Sequence, residues 1–457
     1  MLIRGGTVVT DTGERRADLR LAGERIEAVG DLDPAPAEVT IDAAGCLVMP
    51  GIVDPHTHLW LEGATADDPS SATAAAAAGG VTTCIDFCVQ HPGEPLSEAV
   101  AAARRRTDGT VHVDYALHVT VTHLDDGWER DLESVIAGGV VSGKVYTTYK
   151  GTVYYADDGT IRRLMTHSGA GGLLVQMHAE NDDILEAAKQ PLLQAGQTGL
   201  RYHAAARPPA AEEAAVERGL EFSRATRSPI YFVHLSSPRS VDLVLAAREN
   251  GIPAIAETCP HFLAFDESVY QRPDALRFLM TPPIRSRELS DGLWQRVQAG
   301  NVHAIGSDHC GFSLEQRGAS QRFDEVRPGI PGVETLLPVM YTLGVANGRL
   351  RAPQLVRLLA TNPARIFGLE GKGRLEPGCD ADVVIFDPEA RGPLRDDELH
   401  GRSGFSPYAG IDLAGRVRTT ISRGRVAYTE GRVIVPSDWG RFIPGRSFEA
   451  ERAFDLG

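Results

Sequence analysis

The stretch Gly51-Ile52-Val53-Asp54-Pro55-His56-Thr57-His58 constrains this chain more than any other. An apolar run, Leu47-Val48-Met49 through Ile52-Val53, reads as a short strand that ends in two histidines with one residue between them. Residues two apart on an extended backbone point to the same side. His56 and His58 can therefore present two imidazoles to one point, as a metal ion requires. The end of a strand is also where barrel enzymes place their chemistry. Two histidines in an ordinary loop would be spelled the same way, so the later strands have to decide.

From about Gly51 to Gly368, strand-like runs alternate with Ala-, Glu- and Arg-rich amphipathic stretches such as Ala210–Thr226 and Ser240–Glu249. The candidate strands are Val81–Phe87, Val111–Thr122, Gly143–Tyr149, Leu173–His178, Ile230–His234, Ala254–Thr258 and Val302–Asp308. This period argues for parallel βα units, and the count suits an (α/β)₈ barrel of the TIM type. Glycine-punctuated short strands precede it and similar ones follow it. Neither set could bury a core alone, so a small composite β-sandwich built from both chain ends is expected. The expected division is 1–50 and 369–436 for the two halves of the sandwich, 51–368 for the barrel, and 437–457 for a C-terminal extension. That extension reads either as a segment docking on a neighbouring subunit or as a frayed terminus.

Three strands end on a residue able to bind metal: His178 after Leu174–Met177, His234 after Tyr231–Val233, and Asp308 after Ala304–Ser307. One such histidine is most often a core residue; several on one rim are a constellation. Histidine and carboxylate without a thiolate cluster suit Zn²⁺, Mn²⁺ or Co²⁺. Lys144, in Val140-Val141-Ser142-Gly143-Lys144-Val145-Tyr146, is a costly ammonium to bury. It either snorkels or pairs with an acid, or its amine has taken up CO₂ as a carbamate able to bridge two metal ions.

The remaining composition excludes more than it assigns. A formal charge of −15 over 457 residues argues against nucleic acid or anionic membrane as a partner. Six scattered cysteines without a CxxC pair fit a reducing compartment. With no signal-like N-terminus and no long apolar run, a cytoplasmic location is expected.

Taken in order, GIVDPHTHL, TTCIDFCVQ, GKVYTTYKG, MHAENDD, FVHLSS, ETCPHFL, MTPPIR, GSDHCGF, GIPGVE and GRLEPGCDADVVIFDP make the chain similar to the hydantoinase and dihydropyrimidinase family of cyclic amidohydrolases. The resemblance implies that His56, His58 and Asp308 hold a more buried metal and His178 and His234 a more exposed one. Lys144, as N6-carboxylysine, would bridge the two metals, together with a hydroxide. It implies two divalent ions per subunit, Zn²⁺ first, with Mn²⁺ or Co²⁺ as alternatives. It also implies a homotetramer or dimer. Asp308 would relay the proton during ring opening, and Tyr149 would donate to the carbonyl oxygen as charge develops. Thr281 and Pro328 would meet the ring's amide edge through backbone groups, where the family commonly has serine and asparagine. Proline keeps a carbonyl but has no N–H. The loop Leu59–Thr65 is shorter than is usual in hydantoinases, leaving Trp60 and Leu61, with Tyr146 and Val153, to line the substituent pocket.

The expected substrates are 5-substituted hydantoins, dihydropyrimidines, or both, opened to N-carbamoyl amino acids. Allantoinase- and dihydroorotase-like activities rank below. A metal-free assembly homologue is disfavoured because every ligand position is filled by a competent residue, and a mononuclear deaminase-like relative would not need Lys144. His112, His118, His123, His203, His261, His303 and His309 have no comparable reason to be ligands.

Overall fold

The computed structural model describes residues 1–61 and 63–456; Glu62, in the short loop after His58, and Gly457, at the end of the expected extension, lie outside them. Six short strands come first: β1 (Leu2–Arg4), β2 (Thr7–Val9), β3 (Glu14–Arg16), β4 (Asp18–Ala22), β5 (Arg25–Gly30) and β6 (Thr40–Asp42). The apolar run expected to be one strand is two, β7 (Leu47–Pro50) and β8 (Ile52–His58), in different sheets. Gly51 makes the joint: a Cβ there would lie 2.1 Å from Thr82 Oγ1, so only glycine lets the chain cross so close to its neighbour.

β8 opens an all-parallel series continued by β9 (Val81–Val89), β10 (Asp114–Thr120), β11 (Ser142–Tyr146), β12 (Leu174–His178), β13 (Ile230–Phe232) and β14 (Ala254–Thr258). The eighth strand is in two pieces, with β15 (Ala304–Ile305) against β14 and β16 (His309–Cys310) back against β8. That return closes the (α/β)₈ barrel. Helices such as Pro209–Thr226 and Pro238–Glu249 link successive strands, each begun by a proline in its first turn.

After the barrel come β17 (Val383–Pro393), β18 (Asp412–Ser422), β19 (Arg425–Thr429) and β20 (Arg432–Val433). They join the first strands in a seven-stranded sheet of order β20-β19-β18-β17-β7-β2-β3, which lies against a four-stranded sheet of order β5-β4-β1-β6. β7 is the seam, with β2 on one side and β17 on the other. Ile3, Val8, Leu19, Val48, Val383, Ile385 and Ile421 fill the space between the sheets. Each end of the chain thus supplies half of one apolar core.

A buried ion cluster ties this sandwich to the barrel. Lys372 Nζ lies 2.6 Å from Asp114 at the start of β10, 2.9 Å from Asp380 and 2.7 Å from Asp382. Arg423 reaches the same Asp114 at 3.1 Å. The three carboxylates are close enough to hold a metal ion, but the ammonium already sits among them.

The C-terminal extension packs on its own chain. It crosses the N-terminal end of its own barrel, where Ile443 N donates to Tyr115 O, Gly445 N to Gly139 O and Phe448 N to Gly172 O. Phe448, Ala453 and Leu456 are buried with Phe367 against the barrel-interior residues Val53, Ile85, Leu174 and Ile255. An open barrel end would leave this apolar layer wet, which is what draws the tail onto it. Among the described residues, no helix is long and apolar enough to cross a membrane.

Candidate metal centre

At the other end of the barrel the six expected ligand positions converge. β8 directs both His56 and His58 toward the last strand, placing their Nε2 atoms 3.2 and 3.7 Å from Asp308 Oδ1. The ligand atoms of these three residues all lie within 4.8 Å of one another. Lys144 Nζ is 3.0 Å from His56 Nε2. The His178 and His234 rings are 4.5 Å apart, and His234 is 5.3 Å from His56.

Three of the expected strand ends are wrong by a few residues, and for one reason. β11 stops at Tyr146, so Tyr149 lies in the loop beyond it; β13 stops at Phe232, short of His234; and Asp308 occupies the break between β15 and β16. All three take positive φ, 67° at Tyr149, 40° at His234 and 50° at Asp308. L-residues rarely adopt this conformation and pay strain for it, typically at functional sites. Here it turns each side chain out of the sheet.

A layer of carboxylates that the strand-end reading missed holds the histidines in place. Glu257, buried in β14, accepts from His56 Nδ1 at 2.8 Å, from the Tyr231 hydroxyl at 2.7 Å and from the His234 amide at 2.9 Å. With Nδ1–H donated to Glu257, His56 keeps the Nε2 lone pair for the centre. Glu180 does the same for His178, whose Nε2 it binds at 2.8 Å. Asp54 accepts from the amides of His56 at 3.2 Å and Ser307 at 3.0 Å, fixing β8 to the break before Asp308. Lone acids inside apolar strands, such as Glu257 in Ala-Ile-Ala-Glu-Thr, were the available signal.

The residues present fit divalent cations. Burial, reinforced by the Lys144 charge, holds His56 and His58 well below the usual imidazole range, and burial also lowers His178 and His234. Neutral imidazoles are what metals bind. Burial lowers Lys144 to about 8, against the pull of Asp308 and Glu257. Its Nζ lies over the Phe87 ring at 4.1 Å and the Tyr146 ring at 4.9 Å. Burial raises Asp308 to about 7, with Lys144 opposing and Asp54 adding. Metal charge is what this group of poorly compensated polar atoms is short of.

The Tyr149 hydroxyl lies 2.6 Å from Thr281 Oγ1, so the side chain at 281 is engaged and not only its backbone. Pro328 is half-buried beside Gly329, whose amide donates to Leu279 O. Tyr146 stacks on His178 at 5.2 Å, and Tyr154 lies within 5.6 Å of Tyr146 and 6.4 Å of Tyr149. This tyrosine cluster, with Tyr154 unforeseen, forms an aromatic wall beside the centre.

Trp60 does not join that wall. Arg106, of the outer helix Leu96–Thr107, lies over its ring at 4.4 Å, so the indole packs in the helical layer. Leu61 stays half-buried in the loop, its amide donating to Thr65 Oγ1. Most of the other histidines have structural partners: His118 bonds Pro55 O, His203 bonds Met280 O, His303 accepts from the Ala256 amide, and His309 from that of Gly332.

Comparison with known proteins agrees with this geometry along almost the whole chain. The amidohydrolase family model matches residues 47–427. The D-hydantoinase of Ralstonia pickettii is 36% identical over 98% of this chain and 99% of its own. The structure of dihydropyrimidinase from Brevibacillus agri superposes with a TM-score of 0.95 at 33% identity, covering 98% of this chain and 99% of that one. An L-hydantoinase (dihydropyrimidinase) from Arthrobacter aurescens gives 0.91 at 27% identity, over 97% and 99% of the two chains. Likeness of this extent reaches both the barrel and the two-ended sandwich, and the chain therefore belongs to the amidohydrolase family, among its hydantoinases and dihydropyrimidinases.

Proposed function

We propose that this protein is a metal-dependent cyclic amidase that opens 5-substituted hydantoins, dihydropyrimidines, or both, to N-carbamoyl amino acids. The observation that carries the reading is the convergence of four neutral histidines, Asp308 and a buried lysine amine beside Tyr149. His56, His58 and Asp308 would hold one divalent ion, and His178 and His234 a second. Lys144, carboxylated by CO₂, would join them. A buried amine kept partly neutral is the form that reacts with CO₂. Zn²⁺ is the first candidate, with Mn²⁺ or Co²⁺ as alternatives; bound ions would acidify water and polarise the scissile carbonyl.

The chain's own groups do the rest. Asp308 accepts the proton of the attacking water and passes it to the ring nitrogen as the C–N bond breaks. Tyr149 donates its hydroxyl hydrogen to the carbonyl oxygen as negative charge builds there. Thr281 orients that hydroxyl, and the carbonyl of Pro328 remains able to accept from a ring N–H. A cytoplasmic homo-oligomer, tetramer or dimer, completes the reading; equilibrium sedimentation tests the assembly.

The direct test is ring opening by metal-loaded protein on dihydrouracil, D- and L-5-phenylhydantoin, and allantoin. Turnover of dihydrouracil or a phenylhydantoin is expected. Turnover of allantoin alone would move the protein to the runner-up activity, and silence on all four would sink the proposal. A second expectation concerns Glu257. Glu257→Gln should weaken metal affinity about 10–100-fold, as loss of a carboxylate behind a ligating histidine does, measured by competition with a chelator. Unchanged affinity would remove His56 from the ligand set.

A further inference from the structure

The two halves of the proposed centre, the metal-side histidine His178 and the carbonyl-side donor Tyr149, meet at one residue. Arg207 lies between the helices His203–Ala206 and Pro209–Thr226. Its Nε donates to Glu180 Oε1 at 3.0 Å and its Nη2 to Glu180 Oε2, the oxygen that also binds His178 Nε2 at 2.8 Å. The same guanidinium lies 5.6 Å from the centroid of the Tyr149 ring. Arg285 donates to the Arg207 carbonyl and to Ser236 Oγ, so the backbone of Arg207 is held as well. Glu180 is fully buried and Arg207 is 15% exposed, so water screens this arrangement little.

We infer that Arg207 is a positioning residue that couples the orientation of His178 to the placement and donor strength of Tyr149. The inference rests on the ring-opening reading above and deepens it. Two features make the role specific to arginine. The planar fork engages both oxygens of Glu180, which fixes the plane of the carboxylate and through it the His178 ring. A cation over the phenol draws electron density from it, so the hydroxyl becomes a better donor to a developing oxyanion. Tyr149 also sits at φ 67°, and a side chain mounted on a strained backbone needs outside contacts to stay in place. The Arg207 face and Thr281 Oγ1 supply two of them. A lysine could neutralise Glu180 and keep much of its hold on His178, but as a point charge without a plane it would serve Tyr149 poorly.

The test is Arg207→Gln in the full-length protein, alone and combined with Tyr149→Phe. Chelator competition, which needs no substrate, should show a metal bound about 10–100-fold more weakly in Arg207→Gln. At saturating metal, kcat should fall by about 10²-fold with KM moved much less, as for loss of a transition-state donor. In the Tyr149→Phe background the same change should cost about threefold or less, because the group it acts on is gone. Additive losses, or unchanged metal affinity, would overturn the inference. If Arg207→Gln does not fold, Arg207→Lys should keep metal affinity within a few-fold of the wild type and still lower kcat by about 10-fold; a wild-type kcat in that variant would overturn it equally. If the wild type itself opens no cyclic amide, the functional reading fails alone. The inference then stands or falls on whether Arg207→Gln weakens metal binding.

Discussion

Replacing Lys144 by alanine is expected to lower ring-opening activity by on the order of 10³-fold or more, equivalent to about 4 kcal/mol of transition-state stabilisation. Metal content should fall with it. The reason lies in how the site is charged. Four neutral histidines and one aspartate would face two dications, and the carbamate proposed on Lys144 would supply a further anion to balance them. Alanine removes that anion and leaves a space lined by the Phe87 and Tyr146 rings. A short carboxylic acid such as acetate or propionate should enter that space and restore part of the activity, saturating with its concentration. Kinetics of the variant with and without the acid, beside metal analysis by mass spectrometry, give the answer. Full activity in the alanine variant would sink the bridging role. Loss without rescue, with metal retained, would make the lysine a scaffold for the histidines instead.

The largest effect on folding is expected at the other lysine buried among acids. Lys372→Met should destabilise the protein by about 3–5 kcal/mol, because it leaves buried carboxylates without their counter-ion. Asp382 is already pushed above the usual carboxylate range by burial, with Lys372 the main opposing influence. Asp114 keeps the Arg423 guanidinium beside it and Asp380 the Arg25 guanidinium, so the loss falls mainly on Asp382. Adding Asp382→Asn should return much of the loss, since a neutral amide tolerates a buried site that an unpaired carboxylate does not. Chemical denaturation of the three forms measures this. The cluster lies at the sandwich end of the barrel, so the folded fraction should keep normal kcat. A Lys372→Met protein as stable as wild type would show that the cluster is a neutral convenience.

Much of this molecule could be read before it was seen, because a parallel barrel writes its plan into strand ends. His56, His58, His178, His234 and Asp308 were recognisable as polar residues closing apolar runs, and Lys144 as a charge with no ordinary place in one. Gly51 was harder, since nothing local says that the apolar run at 47–53 divides between two sheets. The positive-φ exits at Tyr149, His234 and Asp308 were hidden for a related reason. A residue that leaves the sheet to point inward is spelled like one that ends it. Glu180, Glu257 and Arg207 act through other side chains, so their roles depend on neighbours distant in sequence. Trp60 was drawn to the site by its place after His58, whereas its environment is set by Arg106 on the outer helix.

The seam at β7 also has a consequence for how the protein is made. Pro50 pairs with Val383, and the barrel lies between them in sequence. On a ribosome adding about 10 residues per second, β7 therefore waits roughly half a minute for its partner strand. During that time the edge of β7 lacks its partner, and the core around Val8 and Val48 has only its N-terminal members such as Ile3 and Leu19, a state open to pairing with other nascent chains. The barrel in turn receives its lower cap only when the segment through Leu456 emerges. Both units reach completion only after all the barrel strands have been made, so a polysome carrying this message holds many barrels that still lack a floor.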